Sequence, residues 1–100
     1  MALPALEWKT FPVQDPNIES GQDVFTAESQ AMTAIGLTNV HQQSSGDVVG
    51  QSATVLAAAS FLQCGKTFTI MVVVAGNAVS DVTTTLNKLV KEIPKHLPNI

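Results

Sequence analysis

Few residues in this chain are equipped for chemistry, and their spacing decides what each can do. His41 is the histidine in the body of the chain, followed by Gln42, Gln43 and Ser44. An imidazole there can bind a metal or act as a general base. No Asp, Glu or Cys stands at helical or hairpin spacing from it, so a metal would lack further ligands. The competing reading is a surface histidine on a polar strand or loop. Cys64 is the sole cysteine, and a thiol becomes a nucleophile only beside a base or in a positive field. Lys66 is close in sequence but on an expected turn, so Cys64 reads as a turn thiol or a small hydrophobe. Gly76-Asn77-Ala78-Val79-Ser80 leads from an apolar run into a helix start, where free amides can hold an anion. Its glycine spacing matches neither phosphate-loop signature. His41, Asn77 and Ser80 are therefore the candidate ligand or anion contacts. Glu7, Glu19, Glu28 and Asp47 are scattered, and no local structure forces two of them together as paired-carboxylate catalysis requires. No catalytic set, cofactor site or metal site emerges, and the reading leans away from an enzyme.

Composition narrows the function classes further. One hundred residues, 45% hydrophobic, suit one domain spanning 1–100 with a core that needs no staples. Charged residues are 13% of the chain and the net charge is -3, which excludes disorder driven by charge. The basic residues are Lys9, Lys66, Lys88, Lys91 and Lys95, with no arginine. Nucleic acid as a partner is excluded on that ground, since its binding needs several phosphate-neutralising side chains. Met1 to Thr10 lacks the basic-then-apolar order of a signal peptide. No uncharged apolar run reaches the roughly 20 residues of a membrane helix. The expectation is a cytoplasmic protein without a membrane partner. Between Ser29 and Ser80 the only formal charges are Asp47 and Lys66. A surface covered by Ser, Thr, Gln and Asn can be buried against another subunit without desolvating an ion.

The elements that must position these residues follow from periodicity. Ala5 to Val13 alternates, with Leu6, Trp8 and Thr10 on one face and Pro12 marking an edge or an end. Gln14 to Gly21 is a loop. Val24, Ala27, Ala31, Ala34 and Ile35 recur at helical spacing, with Asp23 as N-cap, Glu28 near the positive end of the dipole and Gly36 as left-handed stop. From Leu37 to Gly50 the signal weakens, apart from a turn cluster at 44–47 and an apolar start at Val48 and Val49. Val82, Leu86, Leu89, Val90 and Ile93 form a stripe for a last helix capped by Ser80 and stopped by Pro94. His96 near its end reads as a cation at the negative pole of the helix.

Residues 52–63 are ambiguous, because their alanines favour a helix. Pairing argues for a hairpin from Val55 to Val74. With Cys64-Gly65 as the turn, Phe61 faces Phe68, Ala59 faces Ile70, Ala57 faces Val72 and Val55 faces Val74, all apolar. On the other face Ser60 meets Thr69, Ala58 meets Met71 and Leu56 meets Val73.

The expected order is β-α-β-β-α, an α+β domain with an antiparallel sheet and both helices on one face. That is similar in topology to a ferredoxin-like sandwich lacking its last strand, a likeness that carries no chemistry. Two helices cover one face of a sheet. The uncovered face, carrying Leu56, Ala58, Ser60, Thr69, Met71 and Val73, is then the candidate subunit interface of a non-enzymatic homo-oligomer. A small-molecule binding domain or minor enzyme, with its pocket on that face or at the Ser80 helix start, is the alternative.

Overall fold

A computed structural model describes residues 5–13, 18–44, 46–65 and 67–98. Seven elements follow one another: β1 (Ala5–Val13), α1 (Gly21–Ala34), β2 (Thr38–Gln42), β3 (Val48–Gln51), β4 (Val55–Cys64), β5 (Thr67–Gly76) and α2 (Val79–His96). The strands form one sheet in the order β1-β5-β4-β3-β2, and every neighbouring pair is antiparallel. β1 and β2 therefore lie on opposite edges, and α1 carries the chain across the sheet between them. Both helices pack on the same face and against each other, α1 over β2–β4 and α2 chiefly over β1 and β5.

The α+β class, the antiparallel sheet and the two packed helices match the sequence expectation. The β-α-β-β-α order does not, because β2 and β3 add two strands. Thr38–Gln42 carries a single large apolar side chain, Val40, and is mostly exposed. It therefore shows no alternation to detect. β3 is four residues long and contains Gly50, which sits under α1. A Cβ there would stand 3.1 Å from the Met32 sulfur. The ferredoxin-like likeness is not confirmed, since a split β-α-β unit has one strand between its two outer strands and here three separate β1 from β2.

The hairpin exists, with a corrected register. Cys64 pairs with Thr67 and Phe61 with Ile70, while Ala59 meets Val72, Ala57 meets Val74 and Val55 meets Gly76. Gly65 thus opens the turn instead of closing it, at φ +61°, a left-handed conformation that glycine adopts without a Cβ penalty. Lys66 lies outside the described residues. The shift moves each partner by two, and two residues is one full pleat, so every side chain keeps its expected face. Phe61 still meets Phe68, now diagonally, with ring centroids 5.5 Å apart, and its ring packs tilted against Phe25 of α1, centroids 4.7 Å apart.

The helix ends also move. α1 starts earlier than expected, with Ser20 as N-cap and Asp23 at the third helical position. There the Asp23 carboxylate accepts the Glu19 and Ser20 amides at 2.8 and 3.4 Å, reaching back as in a capping box. Gly36 is the expected left-handed stop, at φ +94°. The N-cap of α2 is Ala78, so Ser80 falls inside the first turn. Pro94 does not stop α2, which runs to His96. The ring removes one hydrogen-bond donor, but so near the end only one further turn depends on it. His96 Nε2 lies 2.9 Å from the Glu92 carboxylate, and this hydrogen bond holds the Glu92 carboxyl below its ordinary range.

The core fills the space between sheet and helices. Phe68, Ile70, Val72 and Val74 of β5 lie under α2 with its Val82, Leu86, Leu89 and Ile93, and Val24, Ala27, Ala31 and Met32 of α1 join the same buried cluster.

Candidate functional site

Alternation places one half of every strand against the helices and the other half outside. On β1 the helix side holds Glu7, which accepts from the Thr83 hydroxyl of α2, and Lys9, 3.3 Å from Asn87 Oδ1. The charges of this strand are thereby turned away from the outer face. That outer face has no helix over it. One row runs straight across all five strands, Trp8–Val73–Ala58–Val49–His41, each residue paired with the next. The adjacent row is Leu6–Ala75–Leu56–Gln51–Thr38. On the other side of the first row lie Thr10–Met71–Ser60 and then Pro12–Thr69–Leu62.

No Asp, Glu or Lys among the described residues projects from this face. Its large apolar side chains are exposed: Leu6 64%, Trp8 66%, Leu56 54%, Leu62 64% and Val73 40%. All six residues expected on the uncovered face, Leu56, Ala58, Ser60, Thr69, Met71 and Val73, project from it. Leu6, Trp8 and Leu62 extend the apolar surface beyond that set. Alternation already grouped Leu6 with Trp8, but nothing local to β1 reveals which sheet face the pair joins.

The candidate ligand contacts are not brought together. His41 borders a concavity of about 440 Å³ at the β2–β3 end of the outer face. Asn77 borders a separate, shallower hollow beside Ser52 and Thr54. Ser80 is exposed and borders neither. The anion site expected at the start of α2 therefore loses its cap geometry. Cys64 is exposed at the hairpin end, and among the described residues no group of His, Cys, Asp and Glu could hold a metal.

The His41 concavity has a floor of Val49, Leu56, Ala58 and Val73 and a rim of Asn39, His41, Gln43 and Gln51. A register shift between Thr38 and His41 interrupts the β2–β3 pairing. Within it Asn39 adopts φ +56°, the one non-glycine residue described with positive φ. His41 Nδ1 lies 2.8 Å from the Asn39 carbonyl oxygen. A carbonyl only accepts, so Nδ1 carries the proton and Nε2 of the neutral ring is an acceptor.

One titratable group sits apart from the outer face. Glu28 is fully buried on the core side of α1, and neither carboxylate oxygen has a hydrogen-bond partner among the described residues. Burial, and secondarily the charge of Asp47, push its pKa up to about 9. The expectation that Glu28 complements the helix dipole is therefore replaced by that of a buried, protonated carboxyl. No family model, curated protein or solved structure matches this chain.

Proposed function

We propose that the outer sheet face is a self-association surface and that the protein works as a homodimer without enzymatic activity. One observation carries this reading. Five of the six exposed large hydrophobic side chains among the described residues lie on that face, beside no Asp, Glu or Lys. A soluble domain rarely leaves so continuous an apolar surface uncovered. A second copy suits it because a face without formal charge meets its own image without like-charge repulsion or ion desolvation. At about 3.3 Å per residue and about 4.8 Å per strand, the five strands present roughly 600 Å². Two such faces would bury roughly 1,200 Å², the lower bound for a specific interface. Leu6 and Trp8 on the edge strand and Leu56 and Val73 nearer the centre supply the anchors, aromatic and aliphatic, that dominate such contacts. A reducing, cytoplasmic setting accords with the exposed thiol of Cys64.

Light scattering on single-lysine variants tests the surface. Trp8→Lys and Leu62→Lys should each shift the protein to monomer with an unchanged circular dichroism spectrum, because both side chains are already exposed. Lys88→Glu, on the outer side of α2, should leave the mass unchanged. Equal masses for wild type and all three variants would show that the sheet face does not hold two copies together.

A further inference from the structure

From the cavity beside His41 we infer a binding site for a small, neutral, mostly apolar molecule that carries one hydrogen-bond donor. Its volume of about 440 Å³ falls within the range of roughly 300–1,000 Å³ typical of ligand sites, as does its apolar floor with a few converging polar groups. The floor comes from Val49, Leu56, Ala58 and Val73, which binding would dehydrate with little loss. No formally charged residue lines the cavity, so an ionic ligand would be desolvated without a counter-charge, and neutrality follows.

The polar end is built by the irregularity in β2. Asn39, in its left-handed conformation, turns its carbonyl to His41 Nδ1. That contact orients the ring and makes Nε2 the acceptor, the arrangement by which a second partner of a histidine fixes its tautomer. A strained non-glycine residue persists only where its surroundings hold it, and here it holds a functional group at the rim of a cavity. Gln43 and Gln51 add neutral donors and acceptors on either side.

The site lies on the docking face itself, since Leu56, Ala58, Val73, Val49, Gln51 and His41 all belong to its rows, so the test is run with and without a dimer. Indole and benzofuran have nearly the same shape, and only indole has an N–H donor. Each is titrated into isotope-labelled wild type, Leu62→Lys and His41→Phe, and amide shifts are followed by NMR. Leu62 lies outside the cavity. The expected result is saturable indole binding, with shifts confined to the residues around Val49, Ala58 and Val73. Benzofuran should bind about five-fold more weakly, the difference one neutral hydrogen bond makes. In His41→Phe the two affinities should converge. Binding in Leu62→Lys but not in wild type would keep the site and mark it as covered by the second copy. Equal affinities in wild type, an indole preference that survives in His41→Phe, shifts spread evenly over the sheet, or no saturation in either background would each overturn it. The oligomeric mass, measured on the same samples, reports separately on self-association.

Discussion

At the scale of single residues, Glu28 is the most consequential side chain in the core. Its carboxyl is buried without a partner, and its pKa is about 9 in the fold against 4.5 when exposed. Below pH 4.5 the group is protonated in both states and costs nothing. Between about 4.5 and 9 the unfolded chain ionises while the folded chain keeps its proton. Stability therefore falls as pH rises through that window and levels off above it. At pH 7 the cost is about 3 kcal/mol, from roughly 1.4 kcal/mol per unit of pH. Glu28→Met should raise urea-unfolding stability at pH 7 by about that amount and flatten its decline between pH 5 and 9. An unchanged pH slope would mean that the carboxyl is not held protonated. Sequence reasoning placed Glu28 in the first half of the helix, where an acid helps the dipole. It missed the burial because positions 24, 27, 28, 31 and 32 share one face, and a carboxylate in such a stripe reads as exposed by habit. His41 was visible as a lone polar histidine. Its cavity was not, since Val49, Gln51 and Val73 reach it only through cross-strand pairing.

At the scale of elements, β1, α1 and α2 were legible because each repeats its apolar residues at one clear period, and the β4–β5 hairpin only because its two strands match in pairing, since the alanines of 52–63 alone favour a helix. β2 and β3 were not, being short, polar or glycine-containing. The hairpin register illustrates a general ambiguity. Ala57, Ala59 and Phe61 oppose large apolar residues in either of two registers two residues apart, so face composition selects the face but not the register. Closure of the sheet at its other end helps decide it, where Gly76 pairs with Val55. A Cβ on Gly76 would stand 2.5 Å from the Thr54 carbonyl oxygen and 3.0 Å from Val82. The first of these atoms belongs to the backbone and cannot rotate away. Gly76→Ala should therefore destabilise the protein by about 2 kcal/mol, within the usual cost of overpacking. A thermal melt with the midpoint of wild type would show that the β4–β5 end is more open than described.

At the scale of the whole molecule, the distribution of charge and apolar surface is lopsided. α2 carries Lys88, Lys91 and Lys95, and the two helices hold four of the eight acids, Asp23, Glu28, Asp81 and Glu92. The sheet turns Glu7 and Lys9 toward the helices and leaves an outer face with Trp8, Leu6, Leu56, Leu62 and Val73 exposed. This asymmetry was partly legible, because Ser29 to Ser80 contains so few charges and two helices can cover only one face. The contribution of the edge strand was not, as it depends on β1 pairing with β5 across most of the chain. No described helix is long and apolar enough to cross a membrane. The occupant proposed for the face is a second copy of the same chain. Sedimentation equilibrium over a concentration series tests that assignment most directly. A self-associating sheet face gives a mass rising to twice the 10.5 kDa of the chain at micromolar concentrations, and a single-chain mass at the highest concentration reached would contradict it.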